Sequence, residues 1–246
     1  MVELSFKQTQ AERIVRIAAT VLFNGIENTV KQRKPLSAVT DDAQYGYTAS
    51  ACMEPVGPKF VRITDLQDGR IDWEPVPYCS CDKPESYLLR KGDILFARTG
   101  ATTGKTHIMN EDADAVFASY LIRVRPLDSV RAEYLYWFFQ SDNYWSQVVE
   151  EKEGSAQPNV NGRKLMTMLL AVADAETQDA ICRFMRAVRS RQDGATTSLP
   201  ELPAYLKGQR RIVERFESLG DLQELIDSMA EEVRYLEQSL VQRHLR

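Results

Sequence analysis

The stretch LLRKGDILFARTGATTGKTHI, residues 88–108, sets the character of the chain. Lys91-Gly92-Asp93 is turn chemistry, and the run from Asp93 to Arg98 behind it is short, apolar and β-prone. Thr99 to Thr106 looks at first like a phosphate-binding loop, but it fails on spacing. The G-x-x-x-x-G-K-[ST] pattern needs a glycine five residues before Gly104, and Thr99 stands there. Beyond Thr106 the chain continues as HIMNEDADAVF rather than as a helix whose N-terminus could hold phosphate. The block therefore opens with a strand and does not read as a nucleotide-binding loop.

Working outward, KFVRITDL (59–66) and FASYLIRVRP (117–126) have the same character, so residues 35–126 are expected to be strand-rich. Upstream, Ile14, Val15, Ile17, Ala18, Val21 and Leu22 fall at helical spacing, predicting a helix over 8–24 closed by Asn24-Gly25. Downstream, residues 130–150 return to a helical pattern whose aromatics Tyr134, Trp137, Phe138 and Trp145 fit core packing better than a base-stacking platform. Helical character continues after Pro158 to about 192, and DGATTSLPELP (193–203) is a linker.

The last segment is the most periodic. Ile212, Leu219, Ile226, Val233 and Leu240 recur every seven residues, as do Leu222, Met229 and Leu236 three places on. These are a and d positions of a coiled coil on a helix roughly 50 Å long. Arg215 and Arg243 occupy the outer d positions, which weakens the seam at its ends. The expected fold class is thus α+β (mixed α/β): a domain over residues 1–200, then a long coiled-coil-forming helix over 201–246.

Composition narrows the function classes. With 43% hydrophobic and 27% charged residues the chain can bury a core. The start of the chain lacks the apolar stretch of a signal peptide, and no window suits a membrane span. Four cysteines are too few for a disulfide scaffold, so a cytoplasmic location is expected. The net charge of −4 is unevenly spread: residues 214–237 hold eight acidic and two basic side chains, leaving 27 acidic and 29 basic elsewhere. A mildly basic body permits DNA binding without demanding it.

Catalytic patterns are missing. Two histidines, His107 and His244, do not make a metal cluster, and Cys79 and Cys81 lack a second pair at zinc spacing. There is no G-x-S-x-G, and no Asn/Asp-Pro-Pro-aromatic tetrapeptide of an adenine methyltransferase. Glu150, Glu151 and Lys152 form an E-x-K that a metal-dependent nuclease could use, although a charge run is usually a solvated face. Neither a catalytic site nor a metal or cofactor site is expected in this chain.

Residues 88–108 resemble the target-recognition domains of type I restriction-modification specificity subunits. So do 59–77, ASYLIRVRP (118–126), the EYLYWFFQSDNYW helix, GSAQPNVN (154–161) and LPELPAYLKGQRRIVERFE (199–217), in the same order. The resemblance implies a non-catalytic reader of double-stranded DNA whose partner methyltransferase uses S-adenosylmethionine, with a restriction subunit using ATP as a further partner. Members of that family usually carry two recognition domains and two long helices; one of each is found here, with no internal repeat of GDILFARTG. A homodimer joined through the terminal helix, each copy reading half of a bipartite target, satisfies that architecture. Pairing with a different half-subunit does so too. Two other readings stay open: a metal-dependent nuclease, and a coiled-coil assembly adaptor that never touches DNA.

Three loops carry side chains suited to bases and phosphates. YGYTASA (45–51) offers Tyr45, Tyr47 and Thr48; RTGATTGKT (98–106) offers Arg98, Thr99, Thr102 and Lys105; SAQPNVNGRK (155–164) offers Gln157, Asn159, Asn161 and Arg163. Each has a plainer competitor: Arg98 could pair with Asp93, the threonines could be turn residues, and Gln157 or Asn159 could cap the next helix.

Overall fold

A computed structural model describes residues 2–67, 70–99, 102–149 and 160–218. The first helix, α1 (Val2–Thr29), buries Ile14, Val15, Ala18, Ala19, Leu22, Phe23 and Ile26 along one face. It runs past the expected stop at Gly25, for a packing reason. A Cβ on Gly25 would lie 2.7 Å from Leu206 Cδ2 and 2.8 Å from the Gln209 side chain, so this glycine lets the C-terminal segment cross the helix closely.

Behind α1 lie α2 (Ala132–Gln140), α3 (Asp142–Val149) and α5 (Ala175–Gln192), with the short α4 (Gly162–Thr167) between. The single helix expected over 130–150 is broken at Ser141. This buried serine takes an extended conformation, and its Oγ donates to Phe138 O at 2.6 Å while its carbonyl accepts from Tyr144 and Trp145 N. It ends one helix and starts the next. Tyr134, Trp137 and Phe138 are core residues, and Trp145 packs on the core's edge.

Ten short strands among the described residues fall in the expected β-rich region or at its upstream edge, with one exception. β2 (Gln44–Tyr45), β9 (Leu121–Val124), β6 (Ile94–Ala97) and β7 (Thr106–Ile108) form an antiparallel sheet in that order. β3 (Lys59–Val61) pairs in parallel with β8 (Ala115–Phe117), and β4 (Leu66–Gln67) pairs with β5 (Arg70–Ile71). The exception is β10 (Leu169–Ala171), a strand within the segment read as helical, pairing antiparallel with β1 (Arg33–Pro35). Alternation along β6 explains the layering. Ile94 and Phe96 face the helices, while Leu95 faces a second cluster with Val61, Val76, Leu89 and Phe117. The sheet is covered on both sides, in a mixed α/β fold.

Buried ionic chemistry locks the sheet. Asp93 is 1% exposed and accepts from Arg125 Nε at 2.7 Å, Arg125 Nη2 at 3.0 Å and Arg90 N at 2.9 Å. Arg123 lies 3.5 Å from the same carboxylate and also donates to Leu88 O and to the Gln44 side chain. Burial lowers the pKa of Arg123, whereas the direct hydrogen bond to Asp93 raises that of the less buried Arg125. Both guanidiniums stay charged.

His107 on β7 is buried, and desolvation pushes its imidazole down from 6.5 to about 4. The unfolded chain therefore takes up a proton below pH 6.5 that the folded chain refuses. Stability is whole above that pH and falls as pH drops toward 4. The loss is expected to reach about 3 kcal/mol. Urea unfolding of the wild type and of His107→Leu at pH 7, 5.5 and 4 reads this term; parallel pH profiles would overturn it.

The segment 193–203 is an extended connection that packs back on the helices through Leu199 and Leu202. It leads by a 3-10 turn (Ala204–Leu206) into α6, described over residues 207–218. Val213 is buried against the domain, and Glu217 is 3.2 Å from Arg191 of α5. Ile212 and Phe216 point outward, 45% and 41% exposed. Leu219, Leu222, Ile226, Met229, Val233, Leu236 and Leu240 lie outside the described residues.

Candidate nucleic-acid interface

Antiparallel pairing brings three connections to one end of the main sheet. β6 leaves through Arg98, and β7 enters after Lys105. Ala97 is in register with Leu121, which places the turn before β9 alongside. Tyr45 is in register with Ile122, so residues 46–48 leave there as well. The topology thus gathers the first two nominated loops. Two hydrogen bonds bring in the third: Val160 N donates to Arg98 O at 3.1 Å, and Gly162 N donates to Tyr45 Oη at 2.9 Å.

Arg98 sits at the centre. Its guanidinium lies 5.0 Å from the centroid of the Tyr45 ring, and its buried Nε has no hydrogen-bond partner among the described residues. The stacking holds the side chain without neutralising it. Asp93 is not its partner, because Arg125 and Arg123 occupy that carboxylate.

Close backbone approach sets the geometry. A Cβ on Gly46 would lie 2.2 Å from Ala118 O and 2.4 Å from Phe117 O, so only glycine lets this strand lie against the 117–118 backbone. Gly104, at φ +88°, turns the hairpin back toward β7, and its carbonyl accepts from buried Tyr144 at 2.8 Å. Residues 98–99 leave β6 and residues 102–105 lead into β7, so the described ends of this block belong to the β6–β7 hairpin.

The nominated side chains divide by environment. Thr48, Lys105, Asn161 and Arg163 are exposed, Tyr45 is 40% exposed, and Thr99 and Thr102 are half-buried. Tyr47 has a packing role: its ring meets Tyr87 at 5.3 Å and belongs to the Phe60, Cys79 and Val116 cluster. Asn161 caps α4, its side chain accepting from Lys164 N at 2.9 Å. Gln157 and Asn159 lie outside the described residues, as do Glu150, Glu151 and Lys152 of the E-x-K.

The connection before β9, residues 118–120, escaped the sequence reading. Arg98 N donates to Tyr120 O at 3.0 Å, and Ser119 N donates to Tyr47 O at 2.9 Å. The signal available was an aromatic residue in a tight turn between two apolar strands, where polar residues are the rule.

Residues 31–202 match the family described as type I restriction modification DNA specificity domain. The chain belongs to this family. A relative in that family's setting, the type I restriction enzyme EcoKI specificity subunit of Escherichia coli K12, is 20% identical over 165 residues, covering 64% of this chain and 36% of the relative. Among solved structures, a chain from work on complex assembly and conformational transition of the type I R-M system superposes with a TM-score of 0.57 at 16% identity, covering 89% of this chain and 52% of that one. The HsdS subunit from Thermoanaerobacter tengcongensis gives 0.53 at 17% identity, covering 92% and 53%. The type I restriction-modification S subunit from M. genitalium gives 0.51 at 10% identity, covering 89% and 54%. These likenesses establish the fold. The chain spans about half the length of the solved relatives and about a third of the curated one.

Burial pushes the Cys79 thiol up to about 11 and Cys182 up to about 12, which leaves neither as a nucleophile at neutral pH. Among the described residues, no group of three or more His, Cys, Asp and Glu side chains is placed to hold a metal ion. No helix among them is long and apolar enough to cross a membrane.

Proposed function

We propose that this chain is a cytoplasmic, non-catalytic specificity subunit that reads one half of a bipartite double-stranded DNA target. The observation that carries the reading is the convergence of three separately nominated loops around Arg98 at one end of the sheet. A guanidinium held by stacking, with hydrogen-bonding capacity left over, suits a guanine edge in the major groove. Lys105 and Arg163, exposed on the flanking segments, suit phosphates that fix the register.

The chemistry then comes from a partner methyltransferase that uses S-adenosylmethionine, with a restriction subunit as a further partner. Residues 1–200 are the recognition domain, and the helix after 201 is the spacing and pairing element. Its outward Ile212 and Phe216 continue into the heptad pattern beyond 218, which supports pairing of two copies.

The test is fluorescence anisotropy of the purified chain with a 40-base-pair duplex carrying a random core, from 50 to 300 mM salt. Affinity is expected to fall steeply with salt. Arg98→Ala is expected to lose about tenfold on the duplexes that the wild type prefers. Salt-independent or absent binding would leave the assembly adaptor, and cleavage of the bare duplex with Mg²⁺ would leave the nuclease.

A further inference from the structure

Tyr120 is the most exposed aromatic side chain among the described residues, at 63%. Rings that large are usually covered, because leaving one in water forfeits its burial. Its backbone is firmly held: Leu121 N donates to Ala118 O at 2.8 Å and closes the turn, while Tyr120 O accepts from Arg98 N. Leu121, next in sequence, is fully buried. The ring therefore stands on a fixed turn, tied by one hydrogen bond to the arginine at the centre of the interface. A side chain held ready in this way loses little entropy on binding.

We infer that Tyr120 is a specificity-determining residue that contacts the base pair next to the one Arg98 reads. The inference rests on the DNA-reading function proposed above. Two features fit bases better than phosphates. An aromatic ring offers an apolar face for a thymine methyl group or an unstacked base, and it carries no charge for the backbone. Meanwhile Arg98, one hydrogen bond away, supplies the cation that draws the duplex in. Tyr45 then acts as a positioning residue: its ring backs the Arg98 guanidinium and its hydroxyl anchors the 160–162 segment.

The test is selection from a 40-base-pair duplex library with a random core, run on the full chain, Arg98→Ala, Tyr120→Ala and Tyr120→Phe. Tyr120→Ala is expected to lose base preference at one position adjacent to the position that Arg98→Ala relaxes. Its affinity for the wild-type motif should fall at least roughly fivefold, with the salt slope unchanged because no phosphate contact is lost. Tyr120→Phe is expected to keep the motif. Because the side chain is exposed, all Tyr120 variants should melt with the wild type, which separates contact from folding. If Tyr120→Ala selects the wild-type motif at wild-type affinity, the role of Tyr120 is overturned and DNA reading stands. If the wild-type chain enriches no motif, DNA reading itself falls, and this inference falls with it.

Discussion

Asp93→Ala is expected to cost about 3–5 kcal/mol of unfolding free energy, the range for leaving a buried charge without its partner. The carboxylate is almost wholly enclosed, and the bidentate Arg125, the nearby Arg123 and the Arg90 amide all converge on it. Removing it strands Arg123, which is 6% exposed, with its charge facing the Phe117 ring and two backbone carbonyls. Asp93 precedes β6, both arginines lie on or beside β9, and Arg123 reaches Gln44 of β2. The loss therefore loosens the same three strands that present Tyr45, Arg98 and Tyr120. Exposed pairs set the scale: Arg16 with Asp142, each about half exposed, should contribute no more than about 1 kcal/mol. Urea titration of Asp93→Ala beside Asp142→Ala makes the comparison. A cost for Asp93→Ala no greater than that for Asp142→Ala would sink the account of the sheet as ionically locked.

Local signals in the sequence were strong where one element decides its own fate. At 98–106 a misplaced glycine and the missing helix after it argued against a nucleotide-binding loop, and the segment instead joins the antiparallel strands β6 and β7. The aromatic segment around Tyr134 followed from its period. The features that stayed hidden depend on partners far along the chain. Gly25 resembles a helix stop until Leu206 and Gln209 are known to press against it. Ser141 breaks an otherwise continuous pattern because its hydroxyl and amide both find Phe138 O, a local competition that periodicity does not register. β10 is too short to show alternation, and it is a strand because Arg33–Pro35 pairs with it from over 130 residues away. For the interface, residue type nominated Arg98 and Tyr45 as candidate DNA contacts in two separate loops; the cation–π contact that joins them and the Tyr45–Gly162 bond are tertiary facts. Tyr47 and Tyr45 are two residues apart and looked equivalent, yet one packs inward against Tyr87 and the other supports Arg98. Residues two apart on one strand would share a face, but here Tyr45 pairs antiparallel with Ile122 and Tyr47 bridges Ala118 in parallel, a change of partner that only the assembled sheet shows.

The second large effect concerns assembly. Light scattering of the purified chain is expected to give about 56 kDa, twice the 28.0 kDa of one copy. The combined change Ile226→Asp with Val233→Asp should halve it, because each a-position aspartate would place an unpaired charge in the seam. The domain's own contacts leave room for this pairing: α6 spends Val213 and Glu217 on its own domain and turns Ile212 and Phe216 outward. A helix that satisfied its stripe internally would have buried Ile212. Two copies related by a two-fold axis would set their recognition domains in opposite senses, so the two half-sites must be inverted copies of each other, separated by a spacer that the paired helices measure. The selection experiment then reads the same symmetry independently, since a homodimer enriches a palindromic split motif and a lone chain enriches one half only. A 28 kDa wild type that enriches a single half-site would overturn the homodimer and point to a different half-subunit as the second reader.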